Sequence, residues 1–121
     1  MKFDDLIGVP YKSHGRSKEE GFDCYGLVLE CRRRAGTPLA DIDYTVSSLP
    51  DKEAARYAEK LNVEKAPAPR AGYVCEMEYN GNLHLGYMID RNNVLHMTEK
   101  GARVTYIGAC KAKAFYKVGE L

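Results

Sequence analysis

The chain has no tryptophan, only three phenylalanines among its 121 residues, and a formal net charge of +1. Its nine tyrosines supply core and groove material but form no clear carbohydrate-stacking platform. The near-balance of charge, without a strong sign in either half, gives no electrostatic footprint for nucleic acid. No apolar run approaches the ~18 residues of a membrane span, so no membrane partner is expected. Met1-Lys2-Phe3-Asp4-Asp5-Leu6 carries two acids where a signal peptide needs a basic start and an apolar run, so cytoplasmic synthesis is expected. Repeats, low-complexity tracts and long linkers are also missing.

With 45% hydrophobic and 29% charged residues the chain is neither collagen-like nor disordered. Its length suits a single domain spanning residues 1–121, with a core that needs no staples. Cys24, Cys31, Cys75 and Cys110, in a chain with no export signal, read as thiols rather than as two disulfides. Cys24, Cys75, His84 and His96 could supply four zinc ligands, yet no CxxC, HxxxH or HExxH spacing is present.

Helix signals fill the first half. After a short helical Phe3 to Ile7, the stretch from Gly8 to Arg16 is rich in Gly, Pro and Ser and reads as an irregular loop. Apolar residues at Cys24, Leu27, Val28, Cys31 and Ala35 then keep helical spacing, with Asp23 as N-cap and Gly36 and Pro38 as stops. Arg32, Arg33 and Arg34 form the one dense basic run, read as a solvated helix face in preference to an anion site. A second helix is expected from about Pro50 to Leu61, begun by Ser48 and Asp51 and favoured by Ala54, Ala55 and Ala58.

Strand signals fill the second half. Tyr73 to Tyr79 alternates, and Asn80-Gly81 is a two-residue hairpin signal. Strands at Leu83 to Ile89, Val94 to Met97, Arg103 to Ile107 and Ala112 to Val118 complete about five. The expected class is α+β, with N-terminal helices packed on one face of an antiparallel sheet.

Cys24 at the first helical residue is the sharpest chemical feature. Helix-start amides and the dipole favour a thiolate there, drawing a pKa of ~8.5 toward ~3.5–7.5 and making a nucleophile; the alternative is that Cys24 simply begins the buried stripe. A nucleophilic thiol needs a base, and the base needs a partner that sets its tautomer. In Leu83 to Ile89, His84 lies on the face away from Leu83, Leu85, Tyr87 and Ile89. If Asp90, Arg91 and Asn92 form the turn, His96 falls opposite Gly86 and becomes a diagonal neighbour of His84, with Gly86 leaving space for the ring. A loop one residue different separates the two histidines, and a pair of solvent-facing sheet histidines is the competing reading. His14, in the polar loop, reads as exposed.

Three separated motifs in this order resemble a known family. Gly8-Val9-Pro10-Tyr11, His14-Gly15-Arg16 and Gly21-Phe22-Asp23-Cys24-Tyr25-Gly26-Leu27-Val28, followed by His84-Leu85-Gly86-Tyr87-Met88-Ile89 and Val94-Leu95-His96, are similar to the signatures of the NlpC/p-sixty cell-wall cysteine peptidases. The likeness runs from about Gly8 to Ile107, and Gly15-Arg16 with the aromatic Tyr25 is most similar to the phage and prophage tail branch.

The resemblance implies a papain-like α+β fold and hydrolysis of peptidoglycan stem peptides at a γ-D-glutamyl-diaminopimelate type bond, without a cofactor. Cys24 would be the nucleophile, His84 the base and His96 the orienting residue. Tyr11 would lie near the oxyanion hole, whose other donor would be the Cys24 amide; Asp23 would help bind the polar end of the stem peptide. Tyr25 stands where many members carry serine beside the nucleophile, and Tyr73 follows Gly72 where an acid is common; the first bears on substrate binding. Phage tail proteins would be partners, the chain would travel with the virion, and a tail-tip component without catalysis and a papain-like amidase or acyltransferase are the alternatives.

Overall fold

A computed structural model describes residues 3–39 and 63–118. In chain order the elements are β1 (Arg16–Ser17), β2 (Gly21–Phe22), α1 (Cys24–Arg34), β3 (Val63–Ala66), β4 (Val74–Tyr79), β5 (Asn82–Met88), β6 (Asn93–Thr98), β7 (Gly101–Tyr106) and β8 (Lys111–Val118), with single 3₁₀ turns at Asp4–Leu6 and Ile107–Ala109. β1 and β2 form a two-stranded sheet; the other six form an antiparallel sheet in the order β3-β8-β4-β5-β6-β7.

This overturns the expected papain-like α+β fold of several N-terminal helices on a sheet of about five strands. The described residues are mostly antiparallel sheet, eight strands in two sheets, with one α-helix of 11 residues. The helical signal near Phe3 amounts to one 3₁₀ turn. The helix expected from Pro50 to Leu61 lies outside the described residues. β1 and β2 are two residues each, shorter than any alternation can reveal, and exist because buried Phe22 pairs with Arg16 and also bridges to Tyr11. β3 has no local turn partner: Val63 pairs with Val118, at the far end of the chain.

Helix α1 begins as its sequence demands. The Asp23 carboxylate accepts from the Gly26 amide at 2.6 Å, satisfying an orphan donor of the first turn. Beyond the cap at Ala35, Gly36 takes φ +90, open to glycine at little strain. The helix presses Leu27, Val28 and Cys31 against Leu83, Leu85, Tyr87 and Leu95 of the sheet. Each fully buried large apolar side chain there contributes roughly 1.5–3 kcal/mol. A smaller cluster of Cys75, Met77, Met88 and Val94, with Phe115 against it, lines the other face.

The arginine run is structural. Arg32 is buried, contrary to a wholly solvated face, and donates to the Gly72 and Thr37 carbonyls at 2.9 and 3.1 Å. Arg34 forks onto Asp5 at 2.6 and 2.8 Å and also reaches Glu30, which ties the N-terminal turn to α1. All four cysteines are free thiols.

Candidate active site

The β5–β6 connection sets the site. Asp90 accepts from the amides of Asn92 and Asn93 at 2.8 Å each, closing a turn that makes Ile89 donate to the Asn93 carbonyl. Counting back from that rung puts His96 opposite Gly86, while His84 pairs across β4 with Met77. By strand alternation both rings share the face of Met77, Met88 and Val94. A Cβ on Gly86 would stand 2.5 Å from a Val94 methyl and 3.2 Å from the His96 Cβ, so only glycine lets β6 bring its ring this close.

The two imidazoles meet. His84 Nε2 and His96 Nδ1 are 3.1 Å apart, and His96 Nε2 lies 3.0 Å from Thr105 Oγ1 on β7. Neither ring faces solvent, since His84 is 7% and His96 3% exposed, which removes the reading of two exposed sheet histidines. Burial, reinforced by the neighbouring His96, pulls the His84 pKa down to about 4; the Met97 carbonyl opposes this by accepting from the ring. Burial also lowers His96, against the pull of Glu99. Both rings are therefore neutral near pH 7.

Two contacts to this pair have no local sequence signal. The Tyr79 ring stacks on His84 at 4.8 Å and meets His96 edge-on at 5.6 Å, while its hydroxyl donates to Glu99. Thr105 reaches His96 from two positions along a neighbouring strand. Alternation along β7 places Thr105 on the histidine face once the register is known; only the long-range pairing supplies that register.

Cys24 stands at the start of α1 and reaches β5 at Leu85, the residue after His84. Its sulfur accepts from the Leu85 and Tyr25 amides. The β5–β6 ladder covers only Gly86 to Met88, so β6 has left β5 at this point. The thiol is not depressed as the helix start alone implies. At 4% exposure, burial pushes it up to about 12, with the Asp23 charge adding to the rise and the two amides and Arg16 opposing it. Desolvation of an ion outweighs two hydrogen bonds and a helix terminus. The resting state is a neutral thiol and two neutral imidazoles, without a hydrogen bond from sulfur to either ring among the described residues.

The remaining expected residues divide. Asp23 is committed to capping α1 and to Arg16 at 2.8 Å, so its carboxylate is structural before it is anything else. Tyr25 is completely buried with the Arg16 guanidinium over its ring, so it offers no surface to a substrate, contrary to the binding role implied for it. Tyr11 is 59% exposed, on the short ladder with Phe22 that leads into Asp23 and Cys24. His14 is exposed, its Nδ1 3.1 Å from Ser13 Oγ.

The motif glycines have a packing reason. A Cβ on Gly26 would lie 2.1 Å from the Gly15 carbonyl, so the loop carrying Gly15 can close on the start of α1 only if both stay glycine. Among the described residues, no three His, Cys, Asp or Glu side chains converge as a metal site, and Cys75 belongs to the apolar cluster with Met77 and Met88. No helix among them is long and apolar enough to cross a membrane. No protein-family model matches the chain, and no curated protein matches it.

Proposed function

We propose that this protein is a cysteine peptidase of the NlpC/p-sixty type that hydrolyses amide bonds of peptidoglycan stem peptides, the γ-D-glutamyl-diaminopimelate type bond first among them. One observation carries the reading: a buried histidine pair joined at 3.1 Å, one residue along β5 from the amide that holds the Cys24 sulfur. With the His84 proton on Nε2, Nδ1 is the nitrogen for a thiol proton.

Catalysis on this reading starts from the neutral pair. Substrate binding brings the carbonyl carbon to Cys24; the sulfur attacks as its proton moves to His84 Nδ1. The Cys24 amide at the helix start stabilises the oxyanion. His84 then protonates the leaving amine, and water activated by the same ring releases the acyl group. The missing thiol–imidazole hydrogen bond among the described residues is compatible with this sequence, because such bonds commonly form only in the substrate complex. Carriage by a phage or prophage tail assembly is the delivery route that accompanies this proposal.

The sealed, proton-retaining Cys24 favours one second reading: a tail assembly component that uses the fold without the chemistry. Incubating the purified chain with defined stem peptides and weighing the fragments separates them. Cleavage by the wild type and none by Cys24→Ala supports the peptidase. An intact substrate with a folded wild-type chain selects the assembly role, hydrolysis at a different amide selects an amidase, and amide exchange selects an acyltransferase.

A further inference from the structure

The histidine pair does not end at His96. Its Nε2 meets the Thr105 hydroxyl at 3.0 Å, and that hydroxyl is the end of a three-member chain running from β5 through β6 to β7. Each link carries one proton, so the direction of the last link sets the direction of the first. If His96 donates through Nε2 to Thr105, its Nδ1 is an acceptor, His84 must donate through Nε2, a proton the Met97 carbonyl then shares, and His84 Nδ1 is a bare lone pair. If the chain runs the other way, His96 Nδ1 donates to His84 Nε2 and the His84 proton sits on Nδ1, where a thiol proton could not be received.

We infer that Thr105 is a positioning residue that fixes the His84–His96 tautomer for proton transfer from Cys24, an inference that rests on the peptidase reading. Among the described residues the Met97 carbonyl also accepts from the His84 ring, but it does not set the direction of the His96–Thr105 link. Glu99, the carboxylate whose charge acts on His96, accepts from the Tyr79 hydroxyl, and Tyr79 offers His96 only a ring edge. Arg103, opposite His96 in the ladder, donates to the Ala102 carbonyl. A hydroxyl also suits the site chemically: it can accept the His96 proton without a charge of its own, so the buried pair stays neutral between turnovers. During attack the sulfur proton moves to His84 Nδ1, while the Nε2 proton stays shared with His96 and none leaves the chain.

Two variants test this on the full chain. Thr105→Val keeps the shape and the β-branched side chain of a half-buried strand residue but removes the hydroxyl; Thr105→Ser restores the hydroxyl. Ring ¹⁵N spectra are expected to show His96 protonated at Nε2 and His84 at Nε2 in the wild type and in Thr105→Ser, and a shift of the His84 proton toward Nδ1 in Thr105→Val. On a stem peptide, Thr105→Val is expected to lower kcat roughly tenfold with KM little changed, in proportion to one lost hydrogen bond, and Thr105→Ser to recover most of it. Unchanged ring spectra in Thr105→Val, or a kcat equal to wild type, overturns the inference. Failure of the wild type to cleave any stem peptide overturns the peptidase reading instead, and the spectra then decide the tautomer role alone.

Discussion

The helix-covered face of the six-stranded sheet and its histidine face come from the same strands, with neighbouring residues assigned to opposite sides. One face buries Leu83, Leu85, Tyr87 and Leu95 under α1 and is held mainly by apolar area, with Arg32 tying the helix to the Gly72 carbonyl. The other buries a hydrogen-bonded chain of His84, His96 and Thr105 beside a small cluster of Cys75, Met77, Met88 and Val94. The first face is a source of stability that acid does not touch. The second gives up stability as its imidazoles acquire charge, and it holds the histidines of the proposed chemistry, whose cysteine packs on the helix side.

The largest effects should therefore fall on activity and come from the histidines of the second face and from Cys24, which begins the helix covering the first. Cys24→Ala and His84→Ala are each expected to abolish stem-peptide cleavage with the fold retained, checked by fragment mass alongside circular dichroism. His96→Gln should retain more activity than His96→Ala, because an amide can still hold the neighbouring ring. Full activity in Cys24→Ala would falsify the nucleophile assignment.

Stability should divide the faces differently. Leu27→Ala, which empties a wholly buried site under the sheet, is expected to remove about 2–5 kcal/mol whatever the pH. Gly86→Ala is expected to remove roughly 1–3 kcal/mol by overpacking, since its new methyl meets Val94 at 2.5 Å. It should also push β6 from β5 and lower activity, which Leu27→Ala need not do directly. Urea midpoints and turnover measured on the same samples check both.

The pH dependence follows from the same contrast. The folded His84 has a pKa of about 4 against an ordinary 6.5, so between those values the native state binds fewer protons than the unfolded chain. Stability is fully present above about pH 6.5 and falls as pH drops toward 4, by roughly 3 kcal/mol from this ring. Glu30, held below its ordinary 4.5 by Arg33 and Arg34 against burial, withdraws its contribution only at lower pH. The loss from 6.5 to 4.5 is thus a histidine signature, and His84→Gln should flatten it in urea titrations. On the alkaline side, Cys24 and Cys31, both raised to about 12 by burial, keep their contributions up to about pH 9 and lose them above it.

What could be read in the residues was local. Asn80 and Gly81 both take positive φ, as their hairpin signal requires, and the Asp90 turn sets the register that brings His96 opposite Gly86. Asp23 caps α1 as its position suggests. What could not be read was non-local. β3 exists only because β8 lies beside it, and the arrival of Tyr79 and Thr105 at the histidines depends on two ladders at once. The helix-start argument for Cys24 failed for the same reason: it counts charges and dipoles along one element, while the sheet packed against that element removes the water a thiolate needs.

The smallest expected effect concerns the aromatic that covers the pair. Tyr79 contributes a ring stacked on His84 at 4.8 Å and a hydroxyl bonded to the exposed Glu99, so the two can be removed separately. Tyr79→Phe keeps the stack and should leave stability and the acid profile near wild type, because a hydrogen bond at the surface is largely replaced by water. Tyr79→Leu loses the stack, worth about 0.5–1.5 kcal/mol beyond its buried area. It also admits water to His84, and since burial is the main cause of that ring's low pKa, its pKa should rise toward 6.5. The acid-side loss of stability then narrows to a shorter pH interval in Tyr79→Leu and not in Tyr79→Phe. Equal profiles for the two variants would mean that Tyr79 does not keep the histidine face dry.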